Sequence, residues 1–133
     1  MHPNLLENVA IAMGRLAGQC APRIAPLVDT FASQWLLALG EVSSPEDRDV
    51  AFRGLLALCA AAWAPLLARY PEVLAAFASW SYYDYEPAPD LVAGMQQLIT
   101  AAAAAQVGGA DPSAFLSLLE ENYREYLTKR FTF

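Results

Sequence analysis

The chain has 133 residues, of which 56% are hydrophobic and 17% are charged, and its formal net charge is −6. This is the length of one domain, enough to bury a core. Eight basic residues against fourteen acidic ones exclude the clustered positive surface that nucleic acids require. A single histidine and two separated cysteines supply too few ligands for a metal site, so neither a metal nor a cofactor is expected.

The apolar stretches are too short or too interrupted to cross a membrane, which takes about 20 mostly apolar residues. Pro65 breaks the run 54–68, and the run 91–110 contains three glutamines and a threonine. We therefore predict no membrane span, and the amino-terminal sequence does not have the pattern of a secretory signal. Cys20 and Cys59 lie in apolar or proline-rich sequence, which is typical of free thiols in a reducing compartment.

Three glycines recur at intervals of 40 residues, at Gly14, Gly54 and Gly94, each within an apolar helical stretch. A period of about 40 to 47 residues with two helices per unit is typical of HEAT and armadillo repeats. Such a unit cannot bury its own apolar face and must stack on its neighbours. The sequence therefore predicts an all-α fold, a right-handed α-solenoid of about three HEAT helix pairs. The glycines are expected to permit close approach of helices.

Hydrophobic periodicity predicts six helices, over residues 3–18, 22–39, 45–62, 64–80, 88–107 and 112–130. Ser44 is suited to cap the third helix, and Pro71 should kink or split the fourth because it removes a backbone donor.

Other helix ends have their own signals. Gly40 should end the second helix and Gly108–Gly109 the fifth, while Asp111–Pro112 is a start signal for the sixth. The sixth helix has a charged outer face and an inner face formed by Leu116, Leu119, Tyr123, Tyr126, Leu127 and Phe131. That is the pattern of a terminal cap.

Four segments carry a family resemblance: NLLENVAIAMGRL (4–16), CAPRIAPLVDTFASQWLLAL (20–39), EDRDVAFRGLLAL (46–58) and VLAAFASW (73–80). In this order they resemble the carboxyl-terminal HEAT repeats of the karyopherin-β2, or transportin, family of nuclear import receptors. The resemblance extends from about residue 5 to 80. The tyrosine-rich loop 81–89 departs from the family pattern, which has a shorter polar turn there.

The resemblance implies that an outer A helix precedes an inner B helix in each repeat, with the B helices on the concave side. Residues 1–133 are then a single solenoid segment of a longer receptor, and the chain is expected to begin within a repeat. Residues 1–19 are an unpaired B helix, 22–62 and 64–107 are complete repeats, and 112–130 is the capping helix.

The function implied by the resemblance is binding of PY-type nuclear localisation signals on cargo proteins and passage through the nuclear pore, with release by Ran-GTP. Ran-GTP and Phe-Gly nucleoporins are expected to contact the upstream repeats and not this segment. The implied localisation is shuttling between cytoplasm and nucleus. No enzyme activity is expected, because the chain has no set of residues arranged for nucleophilic or acid–base catalysis.

Candidate binding residues lie mainly on the first helix. Its apolar stripe is formed by Leu5, Leu6, Val9, Ala12, Met13 and Leu16, and Ile11 is the one large apolar residue on the opposite, polar side. An exposed isoleucine is by itself ordinary surface. The resemblance implies that Asn8, Ile11 and Arg15 contact cargo, with further concave-face contacts at Asn4, Asp49 and Arg53. Asp49 and Arg53, spaced i and i+4, are more simply explained as a stabilising ion pair.

Several alternatives remain open from the sequence. One is a generic HEAT-repeat interaction scaffold without a transport role; another is a small helical enzyme or ligand-binding bundle. The acidic residues Glu41, Glu46, Asp47 and Asp49 either attract basic cargo or form a solvated loop and helix start. Trp35, Trp63 and Trp80 are predicted to pack in the core. The apolar stripe of the first helix is expected to lack a cover and to drive self-association.

Overall fold

The computed structural model describes the backbone of residues 3–105 and 116–133, and the side chains of residues 7–105 and 116–133. The described helices are α1 (Pro3–Ile24), α2 (Val28–Leu39), α3 (Pro45–Ala61), α4 (Trp63–Leu67), α5 (Tyr70–Ala78), α6 (Pro89–Ala104) and α7 (Glu121–Arg130). Short 3-10 turns cover Ala25–Leu27 and Ser79–Tyr82. No strand occurs in these ranges.

The helices form two layers. One layer, here the B layer, contains α1, α3 and α6, with α3 in contact with both of the others. The second, the A layer, contains α2, α4, α5 and α7, in which α5 contacts α2 on one side and α7 on the other. Buried apolar side chains from both layers form a continuous core. The predicted all-α solenoid of helix pairs is confirmed.

The most extensive contact between two helices joins α1 to α3, and small residues make it possible. On α1 the buried positions among the described side chains are Ala10, Gly14, Ala17 and Ala21, and a Cβ added to Gly14 would lie only 2.5 Å from the Cα of Ala51. A Cβ on Gly54 would lie 2.1 Å from the Gly14 carbonyl oxygen. The expectation that these glycines permit close helix approach is confirmed, with the difference that two of them meet in one helix contact.

The 40-residue period is visible as hydrogen bonds between equivalent positions of successive units. In the A layer, Arg69 donates to Asp29, 40 residues earlier, at 3.1 Å. A second contact joins α1 to the turn before α3, where Glu7 Oε1 accepts from the Ser43 backbone N–H at 3.1 Å, a separation of 36 residues. Exposed pairs of this kind each contribute about 0–1 kcal/mol, so their main effect is to fix the register of the stack.

Several predicted helix boundaries are corrected. Helix α1 does not end at residue 18 but continues to Ile24 through a kink at Cys20, whose φ and ψ are −139° and 45°. Pro22 explains the kink, because its ring clashes with the carbonyl four residues earlier. The predicted helix 64–80 is split at residues 68–69, just before Pro71, as expected. The predicted helix 112–130 is interrupted, since Glu120 is extended (φ −60°, ψ 151°) and α7 begins after it.

The helix ends predicted at Ser44 and Gly40 lie where the sequence places them, but the side-chain cap expected of Ser44 does not form. Ser44 is the residue before α3, but its side chain makes no capping bond; its carbonyl accepts the Arg48 N–H at 2.9 Å. Helix α2 ends at Gly40 as predicted. The side chains of Asn4, Leu5 and Leu6, and the signals predicted at Gly108–Gly109 and Asp111–Pro112, lie outside the described residues.

Core assignments made from the sequence are largely confirmed. Trp35 and Trp80 are buried, and Trp63 is half-buried against the core. Of the inner face predicted for the last helix, Leu116, Leu127 and Phe131 are buried and the rest pack against the core. Among the helices described here, none combines the length and apolar character needed to cross a membrane.

Candidate functional site

The three residues proposed as the main cargo contacts all lie on α1. Asn8 and Arg15 are exposed, whereas Ile11 is half-buried and packs against the core with part of its side chain accessible. Their spacing of i, i+3 and i+7 places them on one face of the helix. The structure thus presents an amide, an aliphatic group and a guanidinium along one surface of the B layer, a combination suited to an extended polypeptide.

Arg15 is the link between this surface and the next B helix. Its guanidinium Nη2 lies 3.9 Å from Asp47 Oδ1 in α3, and the arginine side chain is 63% exposed. A long, solvated contact of this kind contributes little to stability. The guanidinium therefore remains available to a ligand at little cost.

Arg53 is committed to intramolecular contacts. It donates to both carboxylate oxygens of Asp49, at 2.7 and 3.1 Å, so the predicted i, i+4 pair is confirmed. It also donates to both oxygens of Asp90 at the start of α6, at 2.6 and 2.9 Å, a partner that the sequence did not reveal. The hydrogen bonds from Arg53 lower the pKa of Asp90, and those to Asp90 and Asp49 raise the pKa of Arg53. Through these paired hydrogen bonds to Asp49 and Asp90, Arg53 joins α3 to α6.

An apolar groove of about 530 Å³ lies between α3 and α6 in the B layer. Leu56, Trp63 and Leu98 line it, and Gly94 makes room for the Leu56 side chain, because a Cβ there would lie 2.6 Å from Leu56 Cδ1. Cys59 also lines the groove, and burial raises the pKa of its thiol to about 12. Its thiol is therefore protonated at neutral pH, and this groove offers an apolar contact surface and no nucleophile.

Sequence reasoning missed a buried cation. Arg48 is 0% exposed, and its guanidinium donates to the carbonyls of Leu39 (3.1 Å) and Val42 (2.9 Å) and to Ser79 Oγ (2.7 Å). Burial lowers the pKa of Arg48. The available signal was its spacing, since Arg48, Phe52 and Leu55 share the i, i+4, i+7 face that α3 buries.

Aromatic rings surround this guanidinium. The Arg48 Cζ atom lies 4.4 Å from the ring centres of Trp80 and of Tyr83, and 4.9 Å from that of Phe52. The Tyr83 hydroxyl donates to the Gly40 carbonyl at 2.8 Å, and the Tyr85 hydroxyl to the Ser43 carbonyl at 2.5 Å. The tyrosine-rich loop 81–89 is therefore fastened, through Arg48, to the turn that connects α2 with α3.

Two layers of paired helices, registered by contacts about 40 residues apart, define a protein of the α-solenoid class. Over 76 residues the chain is 33% identical to Transportin-1 of Mus musculus and of Homo sapiens, a match that covers 57% of this chain and 8% of each relative. It is 35% identical over 81 residues to Transportin-1 of Oryza sativa subsp. japonica, covering 61% of this chain and 9% of the relative. The chain thus spans less than a tenth of these relatives. No family model matches it.

Proposed function

We propose that the chain is the carboxyl-terminal HEAT-repeat segment of a nuclear import receptor that binds PY-type nuclear localisation signals of cargo proteins. The observation that carries this proposal is similarity to Transportin-1, at 33–35% identity over 57–61% of the chain. The two-layer solenoid supports it, because stacked B helices offer a long surface for an extended peptide. The role is that of a transport receptor rather than an enzyme.

In this proposal residues 1–19 form the B helix of an incomplete repeat, 22–62 and 64–107 form two complete repeats, and 112–130 cap the solenoid. The intact receptor carries its cargo through the pore by contacts with Phe-Gly nucleoporins, releases it when Ran-GTP binds, and shuttles between cytoplasm and nucleus. Those two partners engage upstream repeats. The segment described here contributes one part of the cargo site.

The cargo contact is assigned to the exposed face of α1. The Asn8 amide can hydrogen-bond an extended cargo backbone, the accessible part of Ile11 gives apolar contact, and Arg15 adds a guanidinium that only a 3.9 Å contact holds in place. Asn4 lies one turn before Asn8. Asp49 and Arg53 on α3 are 33% and 43% exposed within their ion pair, and this exposed part is the further concave-face contact of the proposal. Affinity is expected to be weak, since an extended signal gains strength from several linked sites and this segment holds one.

The test is a titration of the chain with a fluorescently labelled PY-type signal peptide, comparing wild type with Ile11→Asp. Burying a peptide against Ile11 contributes about 1.4 kcal/mol, so the variant should bind about tenfold more weakly. Leu37→Asp is the matched control, because Leu37 is 78% exposed in the A layer and the same substitution there should leave Kd unchanged.

Circular dichroism of both variants, together with the milder Ile11→Ala, separates lost binding from lost folding. A peptide that binds wild type and Ile11→Asp equally well excludes the assignment of the cargo surface to α1. Absence of binding by the whole chain at millimolar peptide favours a generic HEAT-repeat interaction scaffold over the proposed receptor.

A further inference from the structure

The extended segment that follows α7 contacts α6 on the side away from the apolar groove. This 131–133 segment, with the sequence Phe-Thr-Phe, leaves α7 with φ −125° and ψ 153° at Phe131. Gln96 of α6 is hydrogen-bonded to it. At about 100° per residue, Gln96 lies opposite Gly94 and Leu98, which line the groove against α3. The segment therefore lies along the side of α6 opposite α3.

Gln96 binds the main chain of this segment. Its Nε2–H donates to the Thr132 carbonyl at 2.9 Å, and its Oε1 accepts from the Thr132 backbone N–H, also at 2.9 Å. Nε2 also donates to Thr100 Oγ1 at 3.2 Å, one turn further along α6, and this bond holds the amide in its orientation. Because both bonds to the segment use backbone atoms, they do not depend on the side chain at position 132. Proline alone lacks the required donor.

The two aromatic residues of the segment are held unequally. Phe131 is 7% exposed, and its ring centre lies 6.4 Å from that of Phe77 in α5. Its backbone N–H also donates to the Leu127 carbonyl at 2.9 Å. Thr132 is exposed, and Phe133 is only half-buried against the core. Phe131 is thus fixed, whereas the two residues after it are held by exposed hydrogen bonds and one partly buried ring.

We propose that this side of α6 is a binding site for an extended segment of a partner protein, which replaces residues 132–133 of the chain. In the place of Thr132 the partner has any residue with a backbone N–H, and an aromatic residue follows in the place of Phe133. The chain's own segment, bound through its backbone to Gln96, identifies this class of ligand. Main-chain hydrogen bonds combined with a side-chain contact are a common mode of peptide recognition.

The test uses the whole chain, labelled with nitrogen-15, and a capped, uncharged hexapeptide, Gly-Gln-Thr-Phe-Gln-Gly. The backbone amide resonance of Thr100 reports binding, because Thr100 is hydrogen-bonded to Gln96. Thr132→Pro removes the N–H that Gln96 Oε1 accepts, and Phe131 already has the extended conformation that proline requires of the residue before it.

Thr132→Pro should bind the hexapeptide about tenfold more tightly than wild type, since a site occupied by its own chain loses apparent affinity in proportion to the occupied fraction. Thr132→Val is the matched control, because it keeps the backbone N–H at an exposed position and should bind as wild type does. Hexapeptides with proline in place of threonine, or alanine in place of phenylalanine, should bind more weakly to every form of the chain.

Two further substitutions, made in the Thr132→Pro chain, test the role of the amide. Gln96→Glu replaces the donor to the peptide carbonyl by an acceptor and should raise Kd at least about tenfold. Gln97→Glu adds the same charge at the exposed neighbouring residue, which lines the groove against α3, and should leave Kd unchanged. Ile11→Asp should also leave it unchanged, so failure of the cargo surface on α1 and failure of this site are distinguishable.

Equal affinity of wild type, Thr132→Pro and Thr132→Val overturns the proposal, as does a Gln96→Glu form that binds like Gln97→Glu. Absence of binding to Thr132→Pro at millimolar peptide shows that the 131–133 segment is only a cap. A wild-type affinity that falls as the chain is concentrated assigns the site to a second copy and not to a partner protein. The three hexapeptides compared on wild type need no variant, so the proposal remains testable if a substitution disturbs folding.

Discussion

Gly54 of α3 lies so close to Gly14 of α1 that a Cβ on Gly54 would come within 2.1 Å of the Gly14 carbonyl oxygen. Backbone thus packs directly against backbone where the first two B helices meet. Each glycine costs about 1 kcal/mol of helix propensity relative to alanine. The close contact that they permit offsets this cost and sets the spacing of the stack.

Gly14→Ala should destabilise the chain by about 1–3 kcal/mol, because its Cβ would lie 2.5 Å from the backbone Cα of Ala51 and the helices would have to separate. Gly18→Ala is the matched control on the same helix. Nothing lies within 4 Å of its added Cβ, so a gain of about 0.5–1 kcal/mol from helix propensity is expected. Urea unfolding followed by circular dichroism measures both; equal effects of the two substitutions contradict the packing role of Gly14.

Arg48→Met should destabilise the chain by about 3 kcal/mol. The substitution keeps an unbranched, flexible side chain but removes the guanidinium, and leaves the carbonyls of Leu39 and Val42 and the Ser79 hydroxyl without their donor. Near-ultraviolet circular dichroism should also change, since Trp80 and Tyr83 pack on the guanidinium. Arg23→Met, at an exposed position, should change stability by less than about 0.5 kcal/mol. A stable Arg48→Met with unaltered aromatic signals would show that the cation does not hold the loop.

Asp90→Asn should weaken the chain at neutral pH but not in acid. Hydrogen bonds from Arg53 lower the pKa of Asp90 below its ordinary value of 3.8. A carboxyl whose pKa is depressed by folding stabilises the native state above its unfolded pKa, and this contribution disappears as pH falls through the folded pKa. The stability difference between wild type and variant should therefore be constant from pH 5 to 7, begin to shrink near pH 3.8, and vanish only as pH falls through the lower folded pKa. Urea unfolding at several pH values checks this; a difference that persists in acid excludes the ionic contribution.

Self-association through α1 is expected, because its apolar stripe is uncovered. Val9 is 46% and Leu16 is 45% exposed, while the helix packs on α3 through its small residues. Leu16→Lys should shift sedimentation equilibrium at high concentration toward the monomer. Leu37→Lys, on the A layer at 78% exposure, should leave the association unchanged. A wild-type chain that remains monomeric under these conditions contradicts the expectation.

Some contacts of the candidate site could be predicted from the sequence, and others could not. The i, i+4 pairing of Asp49 with Arg53 was predictable, because both partners lie on one helix. The pairing of Arg53 with Asp90 was not predictable, since Asp90 lies 37 residues away and only stacking of the repeats brings α6 beside α3. For the same reason the sequence did not reveal the hydrogen-bond acceptors of Arg48. They come from the end of α2, from the turn before α3 and from Ser79 after α5.

The sequence by itself determined the all-helical class, the 40-residue repeat, the split before Pro71 and the apolar faces of most helices. These features depend on spacing and propensity within one helix, which can be read locally. Only the tertiary structure decided that Gly14 and Gly54 meet in one contact, that Arg48 is buried among aromatic rings, and that loop 81–89 is bonded to the turn between α2 and α3. Each of these depends on side chains that are about 30 to 45 residues apart and become neighbours only when the repeats stack.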